Sequence, residues 1–191
     1  MTEPNAGAIT VGAGTLWIAP LGTTEPVPGV LLPITAPASA VAWPAAWTQL
    51  GFTTEGSEFD WTPKLDPLEV AEQLVPIRYV TSSVEIKVMF ALAEITAKHV
   101  SYAFNGGTIS TSSGITTFTP PKLGAEVRVM LGWDRIDGME RIVWRQCINH
   151  NGTKQTHKRP PAMNSLPAEF VLEYPTANTD PLVHYFDASL A

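Results

Sequence analysis

The chain has 191 residues, of which 45% are hydrophobic and only 16% charged, with a formal net charge of −6. That length suits one domain, residues 1–191, with arms or long loops around a real core, and the low charged fraction points to surface covered by partners. No run approaches the roughly 18 apolar residues of a membrane span, so no integral membrane protein is expected.

The first residues, MTEPNAGAIT, hold no basic residue and no apolar segment, so they do not read as a secretory signal, and assembly inside a cell is the expectation. Residues 8–19 read as a short strand with Leu16 and Ile18 on one face and Trp17 on the other. From Pro20 to Trp47 there are six prolines, which exclude a helix and predict a long loop over residues 20–46. Within it Val30, Leu31, Leu32 and Ile34 call for burial, against a neighbouring subunit or against the domain's own body.

Residues 47–79 are expected to form a long acidic hairpin, bent at Gly51 or Gly56, turning at Pro63-Lys64-Leu65-Asp66-Pro67 and returning through Leu68–Val75. Neither face of this ribbon reads as core, so it should project or line something. Residues 55–76 carry Glu55, Glu58, Asp60, Asp66, Glu69 and Glu72 against Lys64 alone, and the rest of the chain is nearly balanced. Such a surface is unsuited to gripping nucleic acid, because phosphate binding needs positive charge.

Period-two alternation is clearest from Val80 to Leu92, with Val84, Ile86, Val88, Phe90 and Leu92 inward and Glu85, Lys87, Met89 and Ala91 outward. A helix is predicted over residues 93–105, with Glu94 and Lys98 spaced for an i,i+4 pair and Asn105-Gly106-Gly107 as its stop. The Ser/Thr-rich stretch 108–119 reads as a short edge strand and turn. Two further alternating runs flank Asp137-Gly138 and predict a hairpin, with Val127, Val129, Leu131 and Trp133 opposite Ile142, Trp144, Gln146 and Ile148. Its outward face would bring together Arg128, Arg141 and Arg145, either solvated or paired with a neighbour's carboxylates. Residues 149–165 form a polar basic loop, and strands are expected at 168–174 and 182–187.

Catalytic signatures are missing: there is no Gly-rich phosphate loop and no nucleophile elbow, and no Ser or Cys stands at recognisable spacing from a histidine. His99, His150 and His157 lack the ligand spacing of a metal site, and Cys147, the only cysteine, reads as a small buried or half-buried apolar residue. No enzyme, cofactor or metal is expected.

The order of these elements resembles the major tail tube proteins of long-tailed bacteriophages. The likeness rests on an N-terminal strand and loop, a W-x-x-L-G opening at Trp47, Leu50 and Gly51, the acidic hairpin, an alternating strand running into A-E-I-T at Ala93–Thr96, a short helix, then paired strands and a closing strand. The resemblance implies a mainly β fold, a β-sandwich or rolled barrel with one flanking helix, a long hairpin and extended arms. It implies hexameric rings stacked into a virion tail tube, assembled in the host cytoplasm, through which DNA and the tape-measure protein pass without specific binding. Tail terminator and tip proteins would be further partners.

On that basis Glu55, Glu58, Asp60, Glu69 and Glu72 are expected to line an acidic lumen that repels DNA. Strand alternation limits this: Glu58 and Asp60 share a face, and Glu55 joins them only across a bulge at Gly56. Val30, Leu31, Leu32, Ile34, Arg128, Arg141 and Arg145 are the expected inter-subunit residues. Two other readings stay open, a capsid decoration or glycan-binding β-sandwich using Trp43, Trp47 and Trp61, and the tube of a contractile tail or type VI-like system.

Overall fold

A computed structural model describes residues 14–26, 42–71, 75–155, 157, 159, 163–176 and 179–186. Among them are ten strands and one helix: β1 (Thr15–Pro20), β2 (Thr48–Gln49), β3 (Thr53–Leu68), β4 (Arg78–Leu92), α1 (Ala97–Ala103), β5 (Thr108–Ser112), β6 (Ile115–Thr119), β7 (Val129–Asp134), β8 (Glu140–Asn149), β9 (Leu166–Leu172) and β10 (Leu182–Phe186). The fold is mainly β, and every strand pairing is antiparallel.

One sheet of eight strands runs in the order β2-β1-β7-β8-β9-β4-β3. Strand β8 serves two neighbours along one edge, pairing with β10 over residues 140–144 and with β9 over 147–149. The sheet rolls. Leu16 and Ile18 of β1 share one buried cluster with Val88, Phe90 and Leu92 of β4, although three strands lie between them in the sheet. Phe59 of β3 likewise meets Trp144 of β8 with ring centroids 5.7 Å apart.

Alternation explains most of this core. Leu16 and Ile18 face inward while Trp17 and Ala19 pack on the opposite face, as period two requires. In β4 the expected inward set holds from Ile86 to Leu92, but Val84 is 41% exposed because the strand has by then left the body. The expected phase of β8 breaks at a bulge. Leu131 pairs with Trp144 and Val129 with Cys147, so β8 spends one more residue than β7, and Cys147 takes the core position expected of Gln146 and Ile148.

The other face of β7 and β8 is covered as well. Trp17, Trp43 and Trp47 pack over Ala19, Met130 and Val143, with Trp43 lying directly on Gly132. A β-carbon at Gly132 would fall 2.2 Å from the Trp43 ring, so this contact admits no side chain.

The helix is shorter than the predicted 93–105. Thr96 caps it by accepting a hydrogen bond from the His99 amide, and Asn105, at φ 55°, followed by two positive-φ glycines, ends it. Glu94 thus precedes the helix and meets the Phe52 amide at 3.4 Å, while Lys98 donates to Thr48, so the expected i,i+4 pair does not form. Stretch 108–119 is a hairpin, β5–β6, turned by Ser113 and Gly114, both at positive φ. Asn149 ties α1 to the sheet: its side chain donates to Ala103 C=O, and its backbone N–H and C=O are both bonded by the Asn105 side chain at 2.7 Å.

Candidate functional site

The feature that the core does not explain is the β3–β4 hairpin. The turn expected at residues 63–67 is absent: β3 runs straight through both prolines to Leu68, and Arg78 begins the return. Proline is tolerated in a strand when its missing N–H would have pointed away from the partner, which makes an edge strand possible here. Among the described residues strand β3 is such an edge, the last in the sheet. Every described residue from Trp61 to Glu85 except Pro76 is exposed, so the outer half of the hairpin stands clear of the body.

Register gives this arm two unlike faces. Phe59, Trp61, Pro63, Leu65 and Pro67 sit opposite Val88, Ile86, Val84, Thr81 and Tyr79, continuing the core side outward as an apolar strip. Trp61 and Leu65 are each 52% exposed, so the described residues of the protomer leave that strip uncovered. Glu58, Asp60, Thr62 and Lys64 sit opposite Met89, Lys87, Glu85 and Ser83 on the other face. Strand β9 extends this charged face, placing Glu169 beside Met89 and Val171 beside Lys87.

Acid is in excess at the body end of that face. Lys87 lies 3.2 Å from Glu85 and 3.3 Å from Glu169, and hydrogen bonds to these two carboxylates raise its pKa. The Glu169 carboxyl is held below its usual range by hydrogen bonds from Asn151 and then Lys87. Glu58 and Asp60 add two more carboxylates. Between Thr53 and Ser57 the register slips by two residues of β3, with Gly56 at φ 88°, and this bulge brings Glu55 to the rim of an open cleft of about 750 Å³. Glu58, Met89, Asn151, Lys154 and Glu169 also line it. Glu69 is exposed just past β3, and Glu72 lies outside the described residues.

Sequence reasoning missed Glu169 because only the β4–β9 pairing brings it to this face. Glu85 is outward in the alternation of residues 80–92 but lies outside the acid-rich stretch 55–76.

The three arginines are engaged inside the protomer. Arg141 makes a bidentate contact with Asp134 at 2.6 and 3.0 Å and lies over the Trp43 ring; it is buried and not on a solvated face. Arg145 grips Glu25 at 2.6 and 3.1 Å, and Arg128 grips Glu173 at 3.1 and 3.3 Å. These pairings raise the pKa of Arg128 and Arg145. Glu173 is correspondingly lowered, first by Arg128 and then by Gln146. Val30, Leu31, Leu32 and Ile34 lie outside the described residues.

Trp43, Trp47 and Trp61 do not line one groove: Trp47 is buried, Trp43 is wedged between Trp17 and Trp47, and Trp61 stands on the arm. His99 is buried with its ring nitrogen 2.6 Å from Glu94 C=O, a structural contact. Among the described residues no group of three or more His, Cys, Asp or Glu side chains is arranged to hold a metal ion. Burial pushes the Cys147 thiol pKa up, which keeps it protonated and unreactive.

A search of curated proteins found no match. One protein-family model, described as phage tail tube protein, matches residues 1–156, a span that takes in the two-faced hairpin, the helix and all of β7 and β8. The chain belongs to the phage tail tube protein family, structural components of the virion tail that assemble with themselves into a tube.

Proposed function

We propose that this chain, as a single domain, is the tube subunit of a phage tail, polymerising as stacked hexameric rings around a lumen lined by the charged face of β3, β4 and β9. The observation that carries this reading is the projecting hairpin, apolar on one face and charged on the other. An arm of that kind is unfavourable in a lone protomer, where the apolar strip around Trp61, Leu65 and Tyr79 stays wet. Laid against a neighbour, the strip is covered and the charged face is left toward a channel.

Glu58 and Asp60 are the lumen acids best supported by register, joined by Glu85 and Glu169, with Glu55 reaching the same region across the Gly56 bulge and Glu69 near the arm's end. Glu72 belongs to the same proposal. Ring closure repeats each acid around the channel, so DNA meets like charge and slides without forming ion pairs. Tape-measure, terminator and tip proteins are the proposed partners, with assembly in the host cytoplasm. Ring-to-ring contact is assigned to Val30, Leu31, Leu32 and Ile34. Deleting residues 27–41 should stop tube growth while sparing the Glu25–Arg145 and Trp47–Thr24 contacts at the loop's ends.

Negative-stain microscopy of the purified protein tests the reading directly: hollow tubes or sixfold rings are expected, and a protein that stays monomeric at high concentration overturns it. Phage carrying Glu58→Lys with Asp60→Lys should still build tails but eject DNA slowly or incompletely. Ejection at the parental rate would remove this face from the lumen.

A further inference from the structure

Among the described residues strand β3 leaves one ladder edge open, and two prolines set its donor pattern. Hydrogen bonds from Ala93 N–H to Phe52 C=O and from Ile77 N–H to Leu68 C=O, both 2.9 Å, bracket the hairpin. With the register Glu58↔Met89, Asp60↔Lys87, Thr62↔Glu85 and Lys64↔Ser83, they turn the backbone groups of even-numbered β3 residues toward β4. Successive residues of a strand point these groups to opposite sides, so the odd-numbered residues from Ser57 to Pro67 point theirs outward. The one-residue irregularity near Lys64 and Leu65 falls on β4, where Ser82 is the extra residue, and leaves this order in β3 intact.

The open edge therefore offers both N–H and C=O at Ser57, Phe59, Trp61 and Leu65, but only C=O at Pro63 and Pro67. The stretch next to the body is complete. Toward the tip every second outward donor is missing. Without the prolines this edge would be a long, exposed, partly apolar strand, the kind that pairs indiscriminately.

We propose that Pro63 and Pro67 act as gatekeepers, confining the pairing of β3 with a strand of a second copy of this chain to Ser57–Trp61 and keeping arm tips from pairing with one another. The inference rests on the reading of the chain as a self-assembling tube subunit. A second copy is the occupant because the family assembles with itself and because each copy brings an arm whose apolar strip needs the same cover.

The test compares the full chain with two variants. Pro63→Thr with Pro67→Thr restores both outward donors. Its circular dichroism should match the parent's, but its non-specific association should rise about tenfold, the effect of two recovered ladder hydrogen bonds, seen as irregular thioflavin-positive aggregate. Ser57→Pro removes one of the three proximal outward donors, so it should keep the parent's circular dichroism but lose most of its ring and tube formation. Aggregate levels equal to the parent's in the first variant, or undiminished assembly in the second, would overturn the proposal. Should the first variant fail to fold, Ser57→Pro still decides. A parent that forms neither rings nor tubes defeats the functional reading, whereas the aggregate comparison reports on the prolines separately.

Discussion

Replacing Gly132 by alanine isolates one contact that can be worked out from the structure. The new β-carbon would lie 2.2 Å from Trp43 Cη2 and 2.6 Å from Cζ3, so the indole must move. Overpacking of this kind costs about 1–3 kcal/mol. Moving the ring also strains the 2.6 Å hydrogen bond from Trp43 Nε1 to Asp134, and a bond to a charged group is worth about 1.5–3 kcal/mol. The variant should therefore lose about 2–5 kcal/mol in urea unfolding followed by far-UV circular dichroism. In a Trp43→Ala background the obstacle is gone, and the same substitution should cost nothing, because alanine in a strand is favoured over glycine by about 0.5–1 kcal/mol. Equal costs in the two backgrounds, within the roughly 0.5 kcal/mol expected of independent sites, would refute the assignment of Gly132 as the seat of Trp43.

Asn149→Ala should destabilise the fold by about 1–3 kcal/mol, since it leaves the Glu169 amide without its partner and the Ala103 carbonyl with Thr153 alone, and a thermal melt unchanged from the parent would count against that. Glu173 has a folded pKa below its unfolded value, so its contribution is present above about pH 4.5 and is lost as pH falls through the folded value. The stability gap between the parent and Glu173→Gln should accordingly narrow on acidification, and a gap constant from about pH 7 to about pH 3 would contradict the Arg128 pairing. Cys147 should resist a thiol reagent until the chain unfolds, so rapid labelling of the native protein would show that β8 is not packed as described.

Local physics is what could be read directly. The alternation of Ile86 to Leu92, the opposite faces of Leu16 and Trp17, and the Asn105-Gly106-Gly107 stop all depend on residues within a few positions of one another. The excess of acid in residues 55–76 was likewise countable, and the acid-rich hairpin was recognisable as a ribbon without a core face.

Only the tertiary structure decided the rest. Pro63 and Pro67 are turn residues by local preference, yet they lie within a strand because β3 is an edge and their missing donors point outward. The bulge that seats Cys147 inward depends on how β7 and β8 register, and register is a property of two strands together. The arginines found carboxylates as far away as Glu25, 120 positions from Arg145, which no spacing rule reaches. The charged face itself is a composite, since Glu169 joins Glu58 and Lys87 only through the pairing of β9 with β4. A strand's own sequence establishes which residues share a side; which side meets the core, which a neighbour and which a channel is set by the strands placed around it.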